Sequence, residues 1–233
     1  MTSPGTPAAV LFYLGPLPVS ETVATTWGLM LFMFLVAWLS TRRLKLDPGG
    51  WQVALEGIVG AIQDALAAVL PEHGVKILPF IATLWIFLVI ANLGGIVPGL
   101  HGPTADLSTT AALAILVFLS VHWYGIRIHG LRRYLRHYVE PNPVLLPFHI
   151  VSEISRTVAL AVRLFGNIFS LEMAALLVLA VAGFLVPVPV LLLHIVEALV
   201  QAYIFGMLAL IYIAGGIQSL ELNEQNGKGV PDA

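Results

Sequence analysis

The sequence has no cysteine, which excludes disulfides, thiolate metal sites and a cysteine nucleophile. Charge is scarce as well. Asp, Glu, Lys and Arg make up 10% of the 233 residues, against about 25% in an ordinary soluble domain. No Lys or Arg precedes Arg42, so the first apolar run lacks the positive start of a cleavable signal peptide. No glycine-rich phosphate loop, nucleophile triad or metal-ligand spacing occurs. Catalysis on a substrate is therefore not expected, and neither is a cofactor, a metal or a nucleic-acid partner.

Apolar residues are what the chain has in excess: 58% of it, with a mean hydropathy of +0.92. This predicts an all-α polytopic membrane protein, a single transmembrane domain over 1–233. Residues 1–21 read as an arm outside the bilayer. The first span centres on Trp27 to Leu39 and stops at Arg42, Arg43 and Lys45. Residues 51–70 have Leu55, Ile58, Ile62, Leu66 and Val69 on one side and Gln52, Glu56 and Gln63 on another. That pattern suits an amphipathic helix lying in the interface. Spans follow at Leu78–Val97 and Thr109–Ile126, then a second basic cluster of Arg127, Arg132, Arg133 and Arg136. If 51–70 lies flat, both clusters face the cytoplasm, as the positive-inside rule requires. Pro141, Pro143 and Pro147 delay the next helix, which runs to about Ala182. The last helix covers about Val190 to Ser219, and a polar tail from Glu221 is expected to fray. Both helices exceed the ~30 Å hydrocarbon core, so they form a long tilted hairpin. The outcome is five transmembrane helices and one interfacial helix, with the N-terminus outside and the C-terminus inside.

The polar residues inside these spans mark the function. Arg163 lies roughly 20 Å into its helix at ~1.5 Å per residue, near the midplane. An arginine at that depth costs at least ~2.5–3.5 kcal/mol, and it keeps its charge. His149, Arg156, Arg163 and Ser170 recur every seven residues along one face. Asn167 lies one turn beyond Arg163. Glu153 lies on the inward side of Arg163 and Glu172 on the outward side. The last helix places His194, Glu197 and Gln201 on one face. An antiparallel hairpin brings Gln201 toward Arg163 and Asn167, and His194 toward Glu172. Asp106 is a helix N-cap or a residue of an outward mouth. Asn92, one to two turns below, is an interhelical hydrogen bonder or a further lining residue. Glu172, His194, Glu197, Gln201, Asn167, Asp106 and Asn92 thus make an outward ladder. Glu153, Ser155 and His149 make an inward one. Arg156 reads as an interfacial arginine that satisfies loop carbonyls or pairs with Glu153.

The run RLFGN with a glutamate five residues after its Asn, together with HIVEALVQAYIF, resembles subunit a of the F-type ATP synthases. NLGGIVPG and PTADLSTTAALA extend the resemblance more weakly, and it spans roughly residues 27–220. It implies a membrane stator with two offset half-channels separated by Arg163, facing a rotating ring of c subunits. It also implies peripheral-stalk b subunits, the remainder of the complex and a bacterial inner membrane as surroundings. ATP chemistry would lie in other subunits. The family's usual acid near position 149 is absent, and the glutamate stands at 153 instead. The run SEISRTVALAVRLFGN is also similar to the variant rotary ATPases in which Na⁺ coupling is inferred, whereas the imidazole of His194 favours protons. The alternative class is a self-contained ion-coupled secondary transporter. Such proteins usually show internal repeats, and this sequence has none between its halves.

Overall fold

The computed structural model describes residues 10–14, 17–42, 49–95, 102–134, 146–182 and 187–228. Apart from one short hairpin and one 3-10 turn, every described element is an α-helix. The hairpin pairs β1 (Val10–Leu14) with β2 (Leu17–Ser20), antiparallel, with Leu14 opposite Leu17 and Tyr13 opposite Pro18. It gives form to the expected arm. Gly15 and Pro16, a turn-forming dipeptide, separate the two strands in the sequence.

Among the described residues six long helices follow: α1 (Glu21–Thr41), α2 (Gly50–Val69), α3 (Gly74–Gly94), α4 (Leu107–His129), α5 (Leu146–Ala182) and α6 (Pro187–Lys228). The 3-10 turn Pro103–Ala105 precedes α4. Among the described residues five stretches are long and apolar enough to cross a membrane: α1, α2, α3, α4 and Leu191–Ser219 of α6. Helix α5 has the length but carries the interior charges. The chain is a multi-pass helical membrane protein.

The core lies between α3, α4, α5 and α6. Helix α6 supplies its spine, burying Ala198, Ala202, Phe205, Ala209, Leu210, Ile213 and Ile217. Small residues along that spine let a neighbouring backbone come close, which is how helices associate when lipid removes the hydrophobic drive. Helix α3 uses this approach. Its Trp85 lies over Gly206, donates from Nε1 to the Tyr203 carbonyl at 3.3 Å and stacks on the Tyr203 ring. Further along, Asn92 reaches the Ala198 carbonyl. As α3 advances, its partners on α6 fall back, so the two are antiparallel.

This order puts Arg42, Lys76, Arg127, Arg132 and Arg133 at one end of the bundle, called here the basic end. The 3-10 turn lies at the opposite end, against α1, α3, α4 and α5. Helix α2 is apolar enough to span, yet both its ends sit at the basic end. Near its start, Trp51 Nε1 donates to Ser40 Oγ at the foot of α1, at 3.1 Å. At its finish, Gln218 Nε2 of α6 donates to the Val69 carbonyl, also at 3.1 Å. Only its second half is inserted, through Ile62 and Leu66, while Trp51, Val53, Ile58 and Val59 stay exposed. A 20-residue helix would be ~30 Å long. If it crossed the bundle, its ends could not both rest at one end, so it lies across it.

Two boundaries differ from expectation. Helix α5 begins at Leu146, so Pro147 sits inside its first turn rather than delaying it. The first turn tolerates proline because its N–H has no intrahelical partner there. Helix α6 continues to Lys228 instead of fraying after Ser219. The run Leu220 to Gln225 is rich in helix-forming Leu, Glu and Gln, so the helix carries on through it.

Candidate ion pathway

Arg163 projects from the middle of α5 and is exposed. The buried face of α5 is formed by Leu160, Ala161, Leu164 and Ile168. Arg163 follows Val158 and Val162 onto the outer side, among apolar residues that are themselves exposed. The guanidinium therefore points away from the helical core. One turn on, Asn167 Nδ2 donates to Gln201 Oε1 of α6 at 2.6 Å. This bond fixes the level at which the two helices meet, and it joins two residues that the sequence places at equal depth.

From this level toward the opposite end runs a column of buried polar groups. Gln201 and Asn92 are each 1% exposed, and His194 is 4%. Asn92 Nδ2 donates to the Ala198 carbonyl at 3.1 Å, three residues from Gln201 along α6. The interhelical reading of Asn92 thus applies. Gln201 Nε2, Asn92 Oδ1 and His194 Nε2 have no hydrogen-bond partner among the described residues. Buried polar atoms rarely go unsatisfied, so three on one column mark a place for water. Glu197 is half-buried, one turn from His194. Thr104 of the 3-10 turn, fully buried with its Oγ1 unpartnered among the described residues, is a residue the sequence reading missed. Asp106 caps α4: its Oδ1 accepts from the backbone N–H and the hydroxyl of Ser108, each at 2.9 Å. Its carboxylate is therefore occupied as an N-cap. Glu172 lies on α5, but its side chain falls outside the described residues.

At the basic end, α4, α5 and α6 enclose a polar cavity of about 230 Å³. Its lining includes His149, Ser152, Glu153 and Arg156 of α5 with Tyr212, Gly215, Gly216 and Ser219 of α6. His149 and Glu153 are two of the residues expected on the inward side. Ser155 is not a lining residue; it is exposed on another side of α5, and Ser152 takes its place. Helical spacing explains this: positions 149, 152, 153 and 156 share a face, and 155 falls off it. Arg156 has an aromatic neighbour on α6. Its guanidinium lies over the Tyr212 ring, 4.6 Å from the centroid.

Tyr134 forms the remaining wall and had no sequence signal. Gly130 ends α4 with φ +84°, a conformation that suits glycine, and the chain turns back in a short helical segment. Tyr134 then packs on Gly125, where the absence of a side chain makes room for its ring, and meets His122 edge-on.

Comparison with known proteins identifies the family. The family model described as ATP synthase A chain matches residues 23–214. A Pelobacter propionicus protein named ATP synthase subunit a 2 is 66% identical over 211 residues, covering 91% of this chain and 92% of its own length. ATP synthase subunit a of Legionella pneumophila subsp. pneumophila is 60% identical over 215 residues, covering 92% and 94%. A Bradyrhizobium sp. protein named ATP synthase subunit a 2 is 46% identical over 213 residues, covering 91% and 96%. The chain belongs to the ATP synthase A chain family.

Proposed function

We propose that this chain is a single-domain, non-catalytic stator subunit that passes ions to and from the carboxylates of a rotating c-ring. The observation that carries the reading is Arg163. It is a permanent cation on the outer, apolar side of α5, one turn from the Asn167–Gln201 bond, with polar groups leading away from that level on both sides. The outward half-path comprises His194, Glu197, Gln201, Asn167 and Asn92, with Glu172 by its position on α5. Asp106 belongs to its rim as the cap of α4. The inward half-path is the cavity with His149, Glu153 and Ser152.

A fixed positive charge between the two opposes any cation moving straight through. It also attracts a mobile carboxylate and favours its ionised form. A ring carboxylate would release its ion to one half-path, pass Arg163, and reload from the other, so that ion flow becomes rotation. An exposed arginine on a hydrophobic face suits this role, because its partner is then another subunit. The basic end faces the cytoplasm of a bacterial inner membrane by the positive-inside rule, which sets the N-terminus in the periplasm and the C-terminus inside. Peripheral-stalk b subunits would hold the stator against the ring. The coupling ion in this reading is the proton, with selectivity residing in the ring's own site.

In inside-out vesicles with the assembled complex, Arg163→Ala should abolish ATP-driven ion pumping while the complex still assembles. Normal pumping by that variant would sink the mechanism.

A further inference from the structure

Arg163 alone accounts for separation of the half-paths, yet the basic-end cavity holds a second arginine. Arg156 lies seven residues from Arg163, about 10 Å along the helix axis. Its guanidinium carbon is 4.6 Å from the centroid of the Tyr212 ring, well inside the ~6 Å range of a cation–π contact. A flat guanidinium stacked on an aromatic face is held in one orientation, which a lysine in the same place would not share. The contact keeps the charge in the cavity wall instead of leaving it free to swing into solvent. Glu153 is one turn away on the same wall.

We propose that Arg156, held on Tyr212, is a charge filter of the inward half-path that sets how readily the coupling cation collects at Glu153. This rests on the half-path reading above. Residues three apart on a helix have Cβ atoms about 5–6 Å apart. In a water-filled cavity a unit charge at that distance changes the local concentration of a monovalent cation about three-fold. The sign follows from the charge: the arginine keeps cations out, and its removal lets them in. Among the described residues, the titratable groups lining the cavity beside Arg156 are His149 and Glu153 from α5, Tyr212 from α6 and Tyr134 from the segment after α4. All four remain in an Arg156 variant, so a change in ion dependence is assigned to the arginine.

The experiment measures the whole complex in inside-out vesicles. ATP-driven pumping is titrated against pH on the basic-end side, and ATP synthesis against pH on the opposite side. Arg156→Gln should move half-maximal pumping upward by about half a pH unit, equivalent to about three-fold tighter ion loading. The opposite-side dependence of synthesis should stay in place. Tyr212→Leu, which frees the guanidinium, should shift pumping in the same direction, and Tyr212→Phe, which keeps the ring, should not. An unshifted Arg156→Gln, or an equal shift on both sides, overturns the filter. If Arg156→Gln does not assemble, the Tyr212→Leu and Tyr212→Phe pair decides the matter by the same criterion. Arg163→Ala in the same vesicles separates the two levels. Pumping by that variant sinks the half-path reading itself, whereas its loss beside an unshifted Arg156→Gln sinks only the filter.

Discussion

Replacing Gly206 with alanine tests the contact that sets the depth of α6 against α3. The new Cβ would lie 2.5 Å from Trp85 Cε2, and closer still to Nε1 and Cδ1. Carbon atoms prefer about 3.5–4.0 Å, so roughly 1 Å of separation has to be found. The indole has little room to give. It is 7% exposed and stacks on Tyr203 with the rings 5.8 Å apart and 13° from parallel. Overpacking of this kind costs about 1–3 kcal/mol. Losing the Trp85–Tyr203 carbonyl bond adds about 0.5–1.5 kcal/mol, and better helix propensity returns about 1 kcal/mol. The net is a loss of about 1–3 kcal/mol. Function should suffer more than stability. Gln201 lies five residues away on the same helix, and its 2.6 Å bond to Asn167 would not survive a shift of ~1 Å within the ~3.2 Å limit for such bonds. The assay pairs the thermal inactivation midpoint of the detergent-solubilised complex with ATP-driven pumping in vesicles. Gly206→Ala should lower both, and adding Trp85→Phe should recover part of the loss. A Gly206→Ala complex that melts and pumps like the parent would refute the close α3–α6 contact and the level it assigns to Gln201.

Two further substitutions probe the two ends of the bundle. Asp106→Ala removes the acceptor of the Ser108 N–H and should lower the inactivation midpoint by an amount matching about 1 kcal/mol; Asp106→Asn should restore it, and pumping per assembled complex should barely change, because the carboxylate is acting as a cap. Gly125→Ala should leave assembly largely intact, since the gain in helix propensity offsets part of the crowding, but it should slow pumping by forcing the Tyr134 ring toward the cavity; unchanged pumping would show that Tyr134 does not bound the path.

Where the sequence was informative, it was through helical geometry and cost. Arg163 stood out because a permanent charge in an apolar run is expensive, and counting ~1.5 Å per residue from both ends of the hairpin brought Gln201 level with Asn167. The flat α2 was legible from charge parity, although its composition alone admits a membrane span. What escaped depended on rotation and on chain reversal. Ser155 is the inward serine expected from the sequence, whereas Ser152 shares the face of His149, Glu153 and Arg156 that lines the cavity. Arg156 reads in the sequence as satisfying loop carbonyls or pairing with Glu153, and its contact with Tyr212 has no local signal because that residue lies 56 positions away on another helix. Tyr134 enters the cavity only through the turn at Gly130, and nothing in a hydropathy pattern gives the direction of such a turn. Asp106 fits both a cap and a mouth residue in the sequence, and its bonds to Ser108 make it the cap of α4.

Helix α2 has a mechanical meaning. It is tied at its start to the foot of α1 and at its finish to α6, so it bridges two helices at the basic end. In the proposed function a turning ring would drag on the face it slides past, and a stator that leaned with the drag would lose the alignment that the proposed ion transfer needs. A strut laid in the membrane plane resists sideways lean in the one direction that upright helices resist least. Cutting either tie would therefore leave the ion path chemically complete but mechanically soft, and slip between ATP hydrolysis and ion movement should grow with load.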